Sequence, residues 1–205
     1  MKQLKEFLLK LFVLCSSIVI CSCSAEKNET VLQYDSIYQD GLGLTQAEAI
    51  EQYQIDESGV EIREHDTEEI WVLPETEDVM GQPATVHLIF RDKILSSVSF
   101  VMHIENDPEL VWKTLTDIYN DMEDTLGEPS DNWDNQYPFS RYTDYETFSE
   151  IVLPEAENNV YLESNNWVQE DDINGKRASL LLTMFTSGDS TIELQVYLPE
   201  QINSN

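Results

Sequence analysis

Between Ala84 and Ile104, apolar and polar residues alternate over two runs separated by Arg91-Asp92-Lys93. Val86, Leu88 and Phe90 fall on one side of the first run, Thr85 and His87 on the other. The second run places Val98, Phe100, Met102 and Ile104 together. A period of two is the signature of a half-buried strand, so the pair predicts an antiparallel hairpin with one dry face. A three-residue loop, Arg91 to Lys93, would set Phe90 opposite Ile94 and Val86 opposite Val98. A one-residue slip would turn every one of these apolar side chains to water. A sheet with one dry face needs a second layer, and the rest of the chain must supply it.

The segment after Ile104 meets that need. Asp107 can cap a helix, and Pro108 suits its first turn. Val111, Leu115, Ile118, Met122 and Leu126 recur at helical spacing as one stripe, flanked by Trp112 and Tyr119. Gly127 suits a positive-φ position at the helix end, and Pro129 forbids continuation. A shorter helix is announced by the capping box Thr45-Gln46-Ala47-Glu48, with Ala47, Ile50 and Tyr53 expected on one side. Gly41 and Gly43 before it suggest a close approach, and Gly59 follows it.

Two more hairpins close the chain. A loop Ser187-Gly188-Asp189 would pair Met184 with Ile192, Leu182 with Leu194 and Leu180 with Val196, with Gly188 at positive φ. Upstream, Val160 to Val168 and Arg177 to Phe185 flank Asn174-Gly175, a strong turn signal. The expected fold is α+β, mainly an antiparallel sheet with one long and one short helix. The order helix-then-strands occurs twice, so residues 34–205 read as a single domain with possible halves 34–105 and 106–205.

The N-terminal 22 residues read as an export signal. Lys2, Lys5 and Lys10 precede an apolar core from Leu11 to Cys21, and small residues follow. The core is shorter than the roughly 20 residues of a membrane span. A buried N-terminal helix is the alternative, but three lysines beside such a run suit no globular surface. Ile20-Cys21-Ser22-Cys23 resembles the lipobox of bacterial lipoprotein precursors: an aliphatic residue, a tolerant position, a small residue, then cysteine. Leu14 and Ile20 are too large for the small position before Cys15 and Cys21. The resemblance implies cleavage before Cys23, lipid on its sulfur, and an extracytoplasmic, membrane-anchored location. Residues 23–33 then form a polar tether, whose flexible length would be about 17 Å.

All three cysteines lie at or before position 23. The domain itself therefore has no disulfide, thiolate metal site or cysteine nucleophile, and must be held by its core. Charge restricts partners further. The whole chain carries −29; residues 1–22 hold three lysines and Glu6, a net +2, which leaves −31 for residues 23–205. Nucleic-acid binding depends on neutralising phosphates with Lys and Arg, and no basic cluster exceeds Lys176-Arg177. Docking of the folded domain onto anionic lipid is disfavoured for the same reason.

Chemical motifs are sparse. Glu170-Asp171-Asp172-Ile173-Asn174-Gly175 has calcium-loop alternation, but the position that needs a bidentate Glu is Leu181, so a hairpin turn accounts for it better. Asp131-Asn132-Trp133-Asp134-Asn135 could bind calcium or stack on a sugar; it could equally be a solvated turn with Trp133 on the core edge. With Tyr137, Tyr142 and Tyr145, the residues Asp131, Trp133 and Asp134 form the candidate binding surface, because Tyr and Trp supply contact area at low entropic cost. His65 lies in a charged stretch, while His87 and His103 share the polar face of adjacent strands, with Ser97 expected opposite His87. No zinc spacing, G-x-S-x-G elbow or phosphate-cradling glycine loop is present. Paired carboxylates are too abundant to be diagnostic. Leu198-Pro199-Glu200-Gln201 lacks the threonine and apolar tail of a wall-sorting signal.

The join Thr125-Leu126-Gly127-Glu128-Pro129-Ser130 resembles the helix–LGxP–strand join of small bacterial lipoprotein domains of the SmpA and BLIP-like type. That resemblance implies binding or assembly of proteins. The expected function is a non-enzymatic binding or assembly lipoprotein without cofactor or metal, partnered by a protein or an envelope polymer. Two alternatives stand beside it: an acidic inhibitor or immunity-type protein for a basic partner, and an envelope glycan hydrolase working through carboxylates.

Overall fold

In the computed structural model the described residues are 37–129, 144–158, 161–168 and 175–198. Seven strands make one antiparallel sheet: β1 (Glu61–His65), β2 (Glu68–Val79), β3 (Gln82–Arg91), β4 (Ile94–Ile104), β5 (Tyr161–Val168), β6 (Arg177–Met184) and β7 (Ser190–Tyr197), in the spatial order β1-β2-β3-β4-β7-β6-β5. Three helices accompany it: α1 (Gln46–Tyr53), α2 (Pro108–Leu126) and α3 (Tyr145–Asn158). A single wide helical turn, Ile37–Gly41, and a short 3-10 turn, Glu57–Gly59, complete the described elements. The fold is α+β and mainly antiparallel, as the alternation requires. The final strand β7 lies between β4 and β6, so the strands on either side of residues 105–107 share one sheet.

The dry face comes out as expected, but the register differs. Val86 pairs with Phe100 and Leu88 with Val98, two residues away from the expected pairing. The loop is a two-residue one, Asp92-Lys93, with both residues at positive φ, 52° and 64°. That geometry matches the right-handed twist of the flanking strands. Phe90 then faces Leu95, while Ile89 faces Ser97, so Ser96 is the extra residue of a β-bulge. Its hydroxyl donates to Ile89 O at 3.0 Å, and its carbonyl accepts from Leu198 N–H at 2.8 Å. The bulge puts fully buried Leu95 beside Phe90 in the core and leaves Ile94 exposed. The last hairpin is displaced by two as well: Met184 pairs with Ser190, Leu182 with Ile192 and Leu180 with Leu194. Phe185 N–H donates to Asp189 O at 2.9 Å, and Gly188 has φ +90°.

Helix α2 lays its stripe on the sheet. Val111, Leu115, Ile118, Tyr119 and Met122 are buried in the same cluster as Val86, Phe100, Leu194 and Leu180; Leu126 and Trp112 pack at its edge. Asp107 caps the start, accepting from Leu110 N–H at 3.0 Å. Gly127 ends the helix at φ 86°, ψ −173°, a region essentially closed to other residues. Trp167, from β5, is buried there, donates its indole N–H to Gly127 O at 2.9 Å and meets Tyr119 with ring centroids 5.6 Å apart.

Helix α1 forms with both halves of its capping box made: Thr45 N–H donates to Glu48 Oε2 at 2.8 Å, and Glu48 N–H donates to Thr45 Oγ1 at 3.3 Å. Its inner face is Ala49, with Ile50 and Tyr53 packed beside it; Ala47 points to water. Strands β1 and β2 and helix α3 were not read from the sequence. In α3, Asp144 accepts from Thr147 N–H at 2.8 Å, and Phe148, Val152 and Ala156 form a buried i, i+4, i+8 stripe. Pro154 sits inside this helix.

Candidate functional site

The buried strand positions and the helix stripes form one cluster, which assigns the helices to one face of the sheet. Among the described residues no helix packs on the opposite face. Cross-strand pairing arranges that open face in rows. One row runs Val72, His87, Ser99, Gln195, Ser179; the next runs Ile70, Ile89, Ser97, Tyr197, Arg177. A third holds Thr76, Thr85, Val101, Glu193 and Leu181. Small side chains occupy the middle: Ser97, Ser99 and Ser179 are nearly inaccessible between half-exposed His87, Gln195 and Tyr197. Gln195 Nε2 donates to Ser97 Oγ at 2.8 Å. The face is thus broad and mixed in polarity, with apolar Ile70, Val72, Ile89 and Leu181 between hydroxyls and amides.

Its charge is close to balanced. Arg63 and Arg177 offset Glu61 and Glu193, and Arg63 Nε lies 2.8 Å from Glu61 Oε1 on the edge strand. The helices differ. Together α2 and α3 carry nine Asp and Glu residues against the single Lys113, which is engaged with Asp117 at 2.5 Å. These two helices are therefore strongly acidic, whereas the sheet face is near neutral.

His87 lies at the centre of this face, opposite Ser99 rather than the expected Ser97. Half-burial pushes its pKa below the ordinary 6.5, assisted by Arg63 and His103 and opposed by Glu193 and Glu61. His103 shares the face as expected, with Nδ1 3.3 Å from Thr191 Oγ1. A depressed histidine pKa means that the unfolded chain takes up a proton first. Stability should fall as pH drops below 6.5, down to the folded pKa. His87→Gln should flatten that part of the profile, measured by urea unfolding at successive pH values; an unchanged slope would show that His87 titrates normally.

Of the sequence-predicted surface, Tyr145 is described. It opens α3, half-buried, with its ring 6.5 Å from that of Phe148, so it belongs to the core margin. Asp131, Trp133, Asp134, Tyr137 and Tyr142 lie outside the described residues, as do Cys23 and residues 170–174 of the acidic turn. His65 is exposed at the β1–β2 turn, 3.7 Å from Asp66. Among the described residues no group of three or more His, Cys, Asp and Glu is placed to hold a metal ion, and no helix is long and apolar enough to cross a membrane. Comparison with protein families, curated proteins and solved structures finds no match to this chain.

Proposed function

We propose that this chain is an exported lipoprotein, anchored through Cys23, whose domain works by binding a protein or envelope-polymer partner rather than by catalysis. The observation that carries the binding reading is the open sheet face. It combines apolar, hydroxyl, amide and paired charged groups over five adjacent strands, and its balanced charge sets it apart from the acidic helical layer. Rows of side chains on a rigid sheet make a preorganised surface, which lowers the ordering cost of association. The anchor is supported by Ile20-Cys21-Ser22-Cys23, and the binding role accords with the resemblance at residues 125–130.

A second reading rests on the nine-to-one excess of carboxylates on α2 and α3: an acidic surface that blocks a basic partner. The two differ in salt response. Association driven by the helical carboxylates weakens steeply with added salt, mainly through slower encounter. Binding through the near-neutral sheet face changes little. Partners would be captured by a photo-crosslinking amino acid placed at Gln195 on the sheet face or at Glu150 on α3, and their affinity then measured against salt. Capture from Gln195 with a flat salt profile supports the sheet face; capture from Glu150 alone, with a steep profile, would replace it with the acidic reading.

A further inference from the structure

We propose that the outer edge of β1 pairs with β1 of a second copy of this chain, making one sheet continuous across a two-fold axis at Ile62. Among the described residues β1 hydrogen-bonds to β2 alone, so one edge of its main chain is open. Proteins usually blunt such edges with charge. Glu61, Arg63 and Glu64 charge this edge, but its second residue is Ile62, 53% exposed and the most exposed large hydrophobic side chain among the described residues.

The register follows from backbone phase. β1 and β2 are joined by the two-residue loop Asp66-Thr67, so the closing pair His65–Glu68 exchanges main-chain hydrogen bonds. Arg63 and Glu61 repeat that phase and turn their N–H and C=O groups toward β2. Ile62 and Glu64 therefore turn theirs outward. An antiparallel partner strand related by a two-fold axis can be centred on one of these two as a hydrogen-bonded pair, or on Glu61 or Arg63 as a non-hydrogen-bonded pair. Centring on Glu64, Glu61 or Arg63 sets two like charges opposite each other, which is repulsive. Centring on Ile62 sets Ile62 on its own copy and Glu61 on Arg63 of the other chain, in both directions. The Ile62 pair exchanges both main-chain bonds, and Glu64 N–H reaches Val60 O on either side, giving about four bonds around the axis. Val60 is extended, as this requires. The Glu61–Arg63 ion pair now made within one strand would become two pairs between strands. Ile62 shares its face with Trp71, Leu88 and Val98, so the dimer extends the helix-side apolar row through the axis.

Ile62→Cys in the full chain tests this, with oxidant-induced crosslinking read on whole cells. Cys15, Cys21 and Cys23 supply a background, so wild type is the baseline. Ile62→Cys is expected to give a several-fold gain in disulfide-linked dimer, and Glu64→Cys none, because the axis keeps those two positions four residues apart in register. On the Ile62→Cys background, Glu61→Arg or Arg63→Glu alone should reduce the crosslink, and the double swap should restore it. All three residues are exposed on an edge strand, so the variants should keep the wild-type fold by circular dichroism. No gain with Ile62→Cys, an equal crosslink from Glu64→Cys, or a double swap no better than either single change would overturn the proposal.

Discussion

Trp167→Ala should destabilise the domain by about 3–5 kcal/mol, the range for truncating a fully buried large aromatic. Trp167 is 1% exposed on a strand at the far edge of the sheet, yet it ties that edge to the end of α2 through Gly127 O and Tyr119. Two terms combine in the loss. The cavity removes the packing of the indole, and the Gly127 carbonyl loses its donor at a helix end, where the last carbonyls have no partner within the helix itself. Trp167→Phe separates them: it keeps much of the packing and should cost less, with about 1–3 kcal/mol assigned to the stranded carbonyl. Gly127→Ala probes the same corner from the backbone. A Cβ there meets nothing within 4 Å, so its cost would be conformational strain alone, on the order of 1–3 kcal/mol. Urea unfolding checks all three. A Trp167→Ala change below about 1 kcal/mol would mean that β5 is not docked on α2 in solution.

Leu115→Ala, Ile118→Ala and Met122→Ala should each cost about 2–5 kcal/mol. All three are essentially inaccessible, and they occupy successive turns of the stripe that seals the sheet. Val111→Ala should cost less than these, because fewer methyl groups are lost. The exposed face of α2 provides the contrast: Asn120→Ala should lie within about 0.5 kcal/mol of wild type. If the three core changes resembled Asn120→Ala, the stripe would not be facing the sheet.

The sequence is informative about faces and poor on registers, and both hairpins show why. Alternation of period two tells which side of a strand is dry, and any shift by an even number of residues leaves that answer unchanged. Val86 and Phe100 share the dry face whether Val86 pairs with Val98 or with Phe100. The choice is made by Asp92 and Lys93 at positive φ and by the bulge at Ser96, features with little pattern of their own. Helix α2 was legible because cap, stripe and terminal glycine agree. Helix α3 was hidden by Pro154, which ordinarily ends a helix, although Asp144 and the Phe148, Val152, Ala156 spacing were present as signals. Strands β1 and β2 were hidden by an acidic stretch and Pro74; the run Ile70 to Leu73 was the available clue, and the register breaks between Val72 and Thr76. The open sheet face needed the order of the strands. His87 and His103 were placed together by parity, but Glu193, Gln195 and Arg177 reach that face only because β7 inserts beside β4.

The anchor decides where this domain acts, and one labelling measurement tests it. Cells making the full chain are fed a fatty acid with a clickable tag, and the chain is recovered and probed for label and for size. Cys23 is predicted to carry the label on a form shortened by 22 residues and found with membranes. Cys23→Ala should carry none and should remain uncleaved or be released. Equal labelling of wild type and Cys23→Ala, or an unlabelled wild-type chain, would contradict the account.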